Sequence, residues 1–206
     1  QEMITAVAIL GPTAAGKSRL GMVLAVDRGG EILSIDSRQA YRRIDIGTAK
    51  PTLEERRAVP HHLIDILDLN EKCSAEAFAR AALAAIRGAA GRGKIPVLVG
   101  GSGFYFRAVS RGLFDISLDR DAREAFAQSV RSDSTEALHA RLARVDPPSA
   151  KRIHANDRYR IVRALEVRLL TGKAFSRWIR QDPAQKGVTP GLTVGLTAPK
   201  PFLYHR

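Results

Sequence analysis

Eight residues near the start of the chain have the types and spacing of a loop that binds phosphate groups. They are Gly11, Pro12, Thr13, Ala14, Ala15, Gly16, Lys17 and Ser18, and they fit the pattern G-x-x-x-x-G-K-[ST] at every position. Glycines let the backbone curl so that its N–H groups converge on phosphate oxygens, and the lysine adds a point charge. The serine hydroxyl can ligate Mg²⁺, which takes few protein ligands. The pattern predicts a site for a pyrophosphate unit and leaves open which molecule carries it.

Asp36 is a carboxylate that the predicted sheet places near this loop. It follows the apolar run 31–35, which predicts a strand, and ligands of open α/β sheets bind beyond the carboxyl ends of the strands. A carboxylate held there can take a proton from an acceptor nucleophile. Because Asp also commonly caps turns, the catalytic and the structural interpretation of Asp36 both stay open on chemistry alone.

The next apolar strand, predicted at 95–99, ends in glycines rather than in an acid. An energy-coupled NTPase would normally place a metal-organising acid at such a position, so this class is disfavoured. The glycine-rich segment 100–103 is predicted to open a helix, and its Ser102 fits a helix cap better than a ligand contact. The segment 45–51 has the composition of a plain connector.

Strands alternate with helices in the first half of the chain. Strands are predicted at 4–10, 31–35, 63–67 and 95–99, and helices at 17–27 and from an N-cap at Ser74 to near Gly91. This alternation predicts an α/β fold, with a P-loop-type parallel sheet wrapped by helices on both faces.

A helical subdomain is predicted to interrupt this pattern. Helices are indicated at 119–131, 134–145 and 156–171, and residues 192–197 predict a return to the sheet. We therefore predict a P-loop α/β core at 1–111, a helical insertion at 112–185 and a return to the core at 186–206.

The charge of the chain is strongly positive and unevenly distributed. Lys and Arg number 33 against 21 acids, a net charge of +12, and residues 151–180 hold nine Lys/Arg and two acids. Such a surplus favours an anionic partner, usually nucleic acid. In the helix from residue 156, Arg160 and Arg163 are predicted to lie opposite an apolar face that consists of Ile161, Val162, Leu165 and Leu169. This basic face fits either a clamp for a polyanion or an ordinary solvated surface.

The single cysteine, Cys73, cannot form an internal disulfide or a thiolate zinc cluster, and a structural role is expected for it. His61 and His62 are adjacent and would point to opposite faces of an extended segment, so structural roles are expected for them as well. With no run long enough to cross a bilayer and no secretory signal, a cytoplasmic protein without membrane contact is predicted. A monomer is the working expectation.

Several longer stretches resemble one known family, the bacterial tRNA dimethylallyltransferases, also called tRNA isopentenyltransferases. The matching stretches are GPTAAGKS at 11–18, DSRQAYRRIDIGTAKP at 36–51, PHHLID at 60–65, VLVGGSGFYFRA at 97–108, DPPSAKRIHANDRYRIVRALEV at 146–167 and TGK at 171–173. They cover nearly the whole chain in the family's order. The phosphate loop alone occurs in many families, whereas its combination with DSxQxYxxxDIGTAKP is far more specific.

The resemblance implies a reaction in which N6 of the adenosine following the anticodon attacks dimethylallyl diphosphate and releases diphosphate. Asp36 would be the general base, and Thr13 would bond the bridging oxygen of the leaving group. The loop 11–18 would hold the diphosphate with Mg²⁺, with Ser18 as the metal ligand. Contacts with tRNA, through its anticodon stem-loop, are implied for Asp36, Ser37, Arg38, Gln39, Ser102, Arg123, Tyr159, Arg160, Ile161, Val162 and Arg163. The helical insertion would grip the anticodon stem-loop.

The family continues beyond the segment that Arg206 matches, which implies that the chain is truncated at its C-terminus. Two alternatives of other classes share the loop and the acid after the second strand. A small-molecule P-loop kinase would use the helical insertion as a lid, and an adenylate prenyltransferase would modify a free nucleotide. A third alternative is an RNA-binding protein without catalysis.

Overall fold

The computed structural model describes residues 5–71, 74–112, 119–180 and 187–204. In chain order its elements are β1 (Val7–Leu10), α1 (Lys17–Arg28), β2 (Gly30–Ile35), α2 (Leu53–Ala58), β3 (His61–His62), α3 (Ala75–Gly91), β4 (Ile95–Gly100), α4 (Gly103–Arg111), α5 (Arg120–Ser129), α6 (Thr135–Val145), α7 (Pro147–Arg152), α8 (Arg158–Thr171), α9 (Phe175–Arg180), β5 (Leu192–Gly195) and α10 (Lys200–Tyr204). The chain forms two compact units, one of residues 1–113 and 185–206 and one of residues 114–184.

The first unit is built on one parallel sheet. Within the described residues its strands follow the order β3-β2-β4-β1-β5, and every neighbouring pair is parallel. β5 pairs with β1, so the segment from 192 returns to the sheet as predicted. Because all strands run the same way, the carboxyl ends of β1, β2 and β4 meet at one edge, where ligands of such sheets bind.

Both faces of this sheet are covered by helices. On one face Leu33 and Leu98 pack with apolar side chains of α3 and α4. On the other face Ile32 and Val97 pack with Ala25 of α1. Neighbouring strand residues thus point to opposite apolar layers, the pattern of a parallel sheet buried on both sides. The predicted α/β sheet wrapped by helices is confirmed.

Local capping signals explain why the predicted helices begin where they do. The helices α3, α5, α6 and α8 follow N-cap residues whose side chains accept a backbone N–H of the first turn, namely Ser74, Asp119, Ser134 and Asp157. Each such bond satisfies a donor that the helix itself leaves unpaired. α1 ends at Gly29 in the left-handed conformation, with φ of 62°.

Two short helices were not predicted although the sequence signals them. Thr52 and Glu55 form a capping box at the start of α2, with a bond in each direction between their side chains and backbone N–H groups. Asp146 caps α7, which begins with Pro147, a residue suited to the first helical position.

The strand predicted at 63–67 is wrong. Leu63 and Asp65 have φ of 65° and 57°, which interrupts an extended strand. Pairing with β2 stops after His62, and Leu67 forms only an isolated bridge with Tyr41. The turned backbone directs the Asp65 carboxylate to Lys50 and Arg56 instead.

The two adjacent histidines have the structural roles that were expected. Nδ1 of His61 donates to the carbonyl oxygen of Val59 at 2.7 Å, and Nε2 of His62 donates to Glu31 at 2.6 Å. Glu31 is buried, and the hydrogen bonds from Arg92 and His62 lower its pKa to about 2 despite the opposing effect of burial. This ion cluster joins β2, β3 and the end of α3.

The second unit has its own apolar core, formed by Phe126, Val130, Leu138, Leu142, Ala150, Ile153, Ile161, Ala164 and Leu165. Leu169 is 57% exposed, so its predicted place on the buried face of α8 is wrong. Ala164 and Val167 are buried there instead, which shifts the apolar face round the helix.

Cys73 lies outside the described residues. None of the helices that the structure describes is both long and apolar enough to span a bilayer.

Candidate active site

The phosphate-binding loop connects β1 to α1 at the carboxyl edge of the sheet. Its backbone needs special conformations, since Ala14 and Gly16 have φ of 66° and 88°. A Cβ at Gly11 would collide with the carbonyl oxygen of Leu196, so only glycine fits at that position. The loop therefore has the curled backbone that the sequence pattern predicts, directly before the N-terminus of α1.

Lys17 lies folded over this loop. Its Nζ donates to the carbonyl oxygen of Pro12 at 2.6 Å. Burial lowers the pKa of Lys17, and the nearby negative charge of Asp36 partly opposes this effect. A lysine with a destabilised charge gains from an incoming anion, so Lys17 is suited to bind a phosphate oxygen.

One cavity of about 280 Å³ brings the predicted chemical residues together. Its lining includes Thr13, Lys17 and Ser18 of the loop and Asp36 from the end of β2. An apolar part of the wall is formed by Met22, Ile32, Val99 and Pro51. The cavity thus combines a charged phosphate site with apolar surface that could receive a short hydrocarbon.

The geometry of Asp36 is compatible with both roles that sequence reasoning left open. Its Oδ1 accepts the backbone N–H of Arg38 at 2.8 Å, which is the turn-capping role. No hydrogen bond to Oδ2 occurs among the residues that the structure describes. That second oxygen remains available to a ligand in the cavity, so capping does not prevent proton transfer.

Gln39 braces the wall of the cavity. Its Nε2 donates to the carbonyl oxygens of Thr48 and Ala49 at 3.1 and 3.0 Å, and its Oε1 accepts from Ser34 at 2.7 Å. Both amide N–H groups and the amide oxygen are therefore engaged inside the protein. Gln39 therefore holds the segment 44–51 in place, and its predicted contact with RNA stays a prediction.

Lys50 also lines this cavity, and sequence reasoning did not single it out. Its side chain is 1% exposed, and its Nζ donates to the carbonyl oxygen of Tyr41 at 2.6 Å, to Asp45 at 2.8 Å and to Asp65 at 2.7 Å. Burial acts to lower the pKa of Lys50, but the two carboxylates outweigh it and the pKa is raised. The segment 45–51, whose composition is that of a plain connector, is thus held in place by the buried ammonium group of Lys50.

We expect Lys50→Met to reduce the free energy of unfolding by about 1–3 kcal/mol, because it removes the buried ammonium group that joins the Tyr41 carbonyl, Asp45 and Asp65. Urea denaturation of the two proteins gives this difference. Lys94→Met is the matched control, since Lys94 is exposed. A Lys50→Met protein as stable as this control would show that the ion cluster does not hold the segment.

The other residues predicted near the cavity have distinct positions. Ser37 and Arg38 continue the turn after β2, with Ser37 half-buried and Arg38 exposed. Ser102 occupies the N-cap position of α4, but its side chain forms no capping bond, so the predicted cap is wrong. Its backbone N–H instead meets the carbonyl oxygen of Ile35 at 3.4 Å, which ties the ends of β2 and β4 together.

The predicted RNA contacts of the second unit differ in exposure. Tyr159 is 82% exposed, and the side chain of Arg160 is 72% exposed and bonded to Asp157 at 2.8 Å. Val162 is half-buried. Ile161 is fully buried in the core, so its side chain does not face solvent as those of Tyr159 and Arg160 do.

Arg123 and Arg163, the two remaining predicted contacts, both bind one carboxylate. Arg123 is on α5 and Arg163 is on α8, and each donates to Glu166. Sequence reasoning counted Glu166 only as one of two acids in a basic region and did not pair it with either arginine.

A magnesium ion would have few protein ligands in this site. No group of three or more His, Cys, Asp or Glu side chains that could hold a metal occurs among the described residues. The Ser18 hydroxyl lines the cavity beside the loop, which fits an ion that takes most of its ligands from phosphate oxygens and water.

Comparison with known proteins gives one consistent result. The family model described as IPP transferase matches residues 39–206. The chain is 48% identical to the tRNA dimethylallyltransferase of Halorhodospira halophila over 200 residues, which is 96% of this chain and 64% of that protein. It is 52% identical to that of Methylococcus capsulatus over 176 residues, which is 85% of this chain and 56% of that protein. The chain thus spans less than two thirds of the length of these relatives.

A solved structure agrees with these sequence matches. A eukaryotic dimethylallyltransferase acting on tRNA superposes with a TM-score of 0.81 at 29% identity, covering 98% of this chain and 50% of that one. The architecture of the described residues is therefore similar to that of a solved enzyme of this kind.

Proposed function

Since the chain belongs to the IPP transferase family, we propose that it transfers a dimethylallyl group from dimethylallyl diphosphate to tRNA. The acceptor is N6 of the adenosine that follows the anticodon, and the second product is diphosphate. The observation that carries this proposal is the cavity lined together by the phosphate loop, including Thr13, and by Asp36, whose Oδ1 alone is used by the turn.

The donor is held by its diphosphate on the loop 11–18. Backbone N–H groups of the loop and the N-terminus of α1 bind its oxygens, and Lys17 exchanges the Pro12 carbonyl for a phosphate oxygen. Ser18 would be the protein ligand of Mg²⁺, which would supply further neutralisation of the diphosphate charge. The apolar wall with Met22 and Val99 is the surface that suits the hydrocarbon chain.

Transfer forms the N6–carbon bond and breaks the bond between the allylic carbon and the bridging oxygen. The electron pair of the broken bond leaves with diphosphate, where the Thr13 hydroxyl donates to the bridging oxygen. Oδ2 of Asp36 takes the proton from N6, while Oδ1 keeps the carboxylate in place through Arg38 N–H. An adenine in a folded anticodon loop reaches this cavity only after it has left the base stack.

We propose RNA contacts for exposed residues of both units. Ser37, Arg38 and Ser102 lie near the edge of the sheet where the base must arrive. Tyr159 and Arg160 on α8 offer a ring for stacking and a charge for phosphate. Because tRNA is the proposed acceptor, we also propose a cytoplasmic location for the reaction.

The test is incubation of the protein with labelled dimethylallyl diphosphate, Mg²⁺ and bulk tRNA, with AMP as a competing acceptor. We expect the label in tRNA. Label in AMP would favour a prenyltransferase of free nucleotides, and binding of tRNA without transfer would favour an RNA-binding protein. ATP-dependent phosphorylation of a small acceptor, independent of tRNA, would contradict the proposal in favour of a kinase.

A further inference from the structure

Glu166 connects two helices of the second unit through two arginines. Its Oε1 accepts from Nε of Arg123 on α5 at 3.0 Å, and its Oε2 accepts from Nη1 of Arg163 on α8 at 2.6 Å. The side chain of Glu166 is 10% exposed, whereas those of Arg123 and Arg163 are 52% and 27% exposed. We call these three side chains the Glu166 triad.

The Glu166 triad is a costly way to stabilise the contact between α5 and α8 if it has no further role. A buried carboxylate is expensive to desolvate, and a well-packed apolar side chain commonly stabilises such a contact as well or better. On the same helix, Ile161, Ala164 and Leu165 belong to the apolar core of this unit. Stability alone therefore gives little reason for a carboxylate at this position.

The triad also leaves positive charge and donors unused. One carboxylate balances one of the two guanidinium groups, so the triad has a net charge of +1. Each guanidinium has five N–H donors, and Glu166 accepts from one nitrogen of each. In the part of the chain that the structure describes, neither guanidinium has another hydrogen-bond partner. The N–H donors of a planar guanidinium group have a fixed geometry that matches the oxygens of a phosphate group, and here they are partly exposed.

We propose that Glu166 is a positioning residue, which holds Arg123 and Arg163 side by side so that their free N–H groups bind RNA phosphate together. Without the shared carboxylate the two like charges repel, and each long side chain must be ordered again when RNA binds. This inference rests on the proposed function, because it requires that the protein binds RNA.

The direction in which Glu166→Gln changes the affinity for RNA distinguishes a positioning role from a simple effect of net charge. Replacing Glu166 by Gln removes a negative charge, which by net charge alone should strengthen binding to RNA. Loss of the ordered pair should weaken it. The matched control is Glu124→Gln, which removes the same charge from an exposed side chain of α5 for which the described residues provide no partner.

The experiment is a titration of unfractionated tRNA with wild type and both variants over a salt series, at a temperature where all three are folded. We expect Glu166→Gln to bind roughly tenfold more weakly, as for the loss of order in two long side chains. We expect Glu124→Gln to bind as tightly as wild type or up to about threefold more tightly at low salt. A Glu166→Gln affinity equal to or above that of the control would overturn the inference.

A double-mutant cycle of Arg123→Ala and Arg163→Ala gives a second test that keeps Glu166. If the triad binds as one clamp, losing either arginine removes most of the contribution of both, and the two effects on affinity do not add. Additive effects would overturn the inference even where Glu166→Gln fails to fold. If wild type itself does not bind tRNA, the proposed function fails, and the inference fails with it.

Discussion

Asp36→Asn should lower the single-turnover rate of prenyl transfer to tRNA by about 10²–10⁴, the usual effect of losing a general base. Asn retains an oxygen that accepts the Arg38 N–H, so the turn after β2 should persist. It cannot take a proton from N6 at Oδ2, which the structure leaves without a protein donor among the described residues. Affinity for tRNA should stay close to that of wild type.

The measurement is single-turnover transfer from labelled dimethylallyl diphosphate, beside a tRNA titration for each protein. Asp27→Asn is the matched control, because Asp27 is an exposed acid of the same unit that pairs with its neighbour Arg28. This control should transfer at the wild-type rate. Near-normal transfer by Asp36→Asn would reduce Asp36 to a turn cap and require another proton acceptor.

Local sequence signals were sufficient for much of the fold. The N-caps Ser74, Asp119, Ser134 and Asp157 each stand next to the backbone groups that they satisfy, so type and position alone predict the helix starts. The phosphate loop is equally local, because its glycines, Lys17 and Ser18 act within one turn of chain. Such features depend on neighbours that the sequence itself places side by side.

The missed and mistaken features depend on partners that are distant in sequence. Lys50 is buried because Asp65 and Tyr41 come to it from other segments, and from sequence alone a lysine in a loop indicates solvent exposure. Residues 63–67 have the apolar content of a strand, but the ion pairs of Asp65 require a turned backbone. Here tertiary contacts override local preference.

The basic surface of α8 illustrates the same limit for the site. Counting charges correctly indicated a positive region, but Arg163 proved to share Glu166 with Arg123, which lies 43 residues from that carboxylate. Ile161 was included among RNA contacts because it falls in the stretch 159–163 that resembles an RNA-contacting segment of the family, whereas helical geometry turns its side chain into the core. Residue type alone identified a basic surface. The packing of α5 against α8 was needed to show that Glu166 pairs with both Arg123 and Arg163.

Lys17→Ala should weaken donor binding and slow the chemical step together, unlike Asp36→Asn. Lys17 contacts the diphosphate both in the bound donor and while negative charge grows on the leaving group, so its loss affects ground state and transition state. We expect kcat/KM for dimethylallyl diphosphate to fall by about 10²–10³, as for removal of one preorganised donor to a developing anion. Donor affinity from equilibrium binding and transfer rate from single turnover separate the two contributions.

The pH dependence of donor binding provides a test specific to the Lys17 charge. Burial lowers the pKa of Lys17 from its ordinary value, so the free protein loses this charge at a lower pH than an exposed lysine would. Bound diphosphate favours the charged form, and wild-type affinity should therefore fall as pH rises through the pKa of Lys17 in the free protein. Lys17→Ala lacks the group and should show no such fall. Donor affinity that is the same in both proteins at every pH would place the diphosphate away from Lys17, and with it away from the loop 11–18.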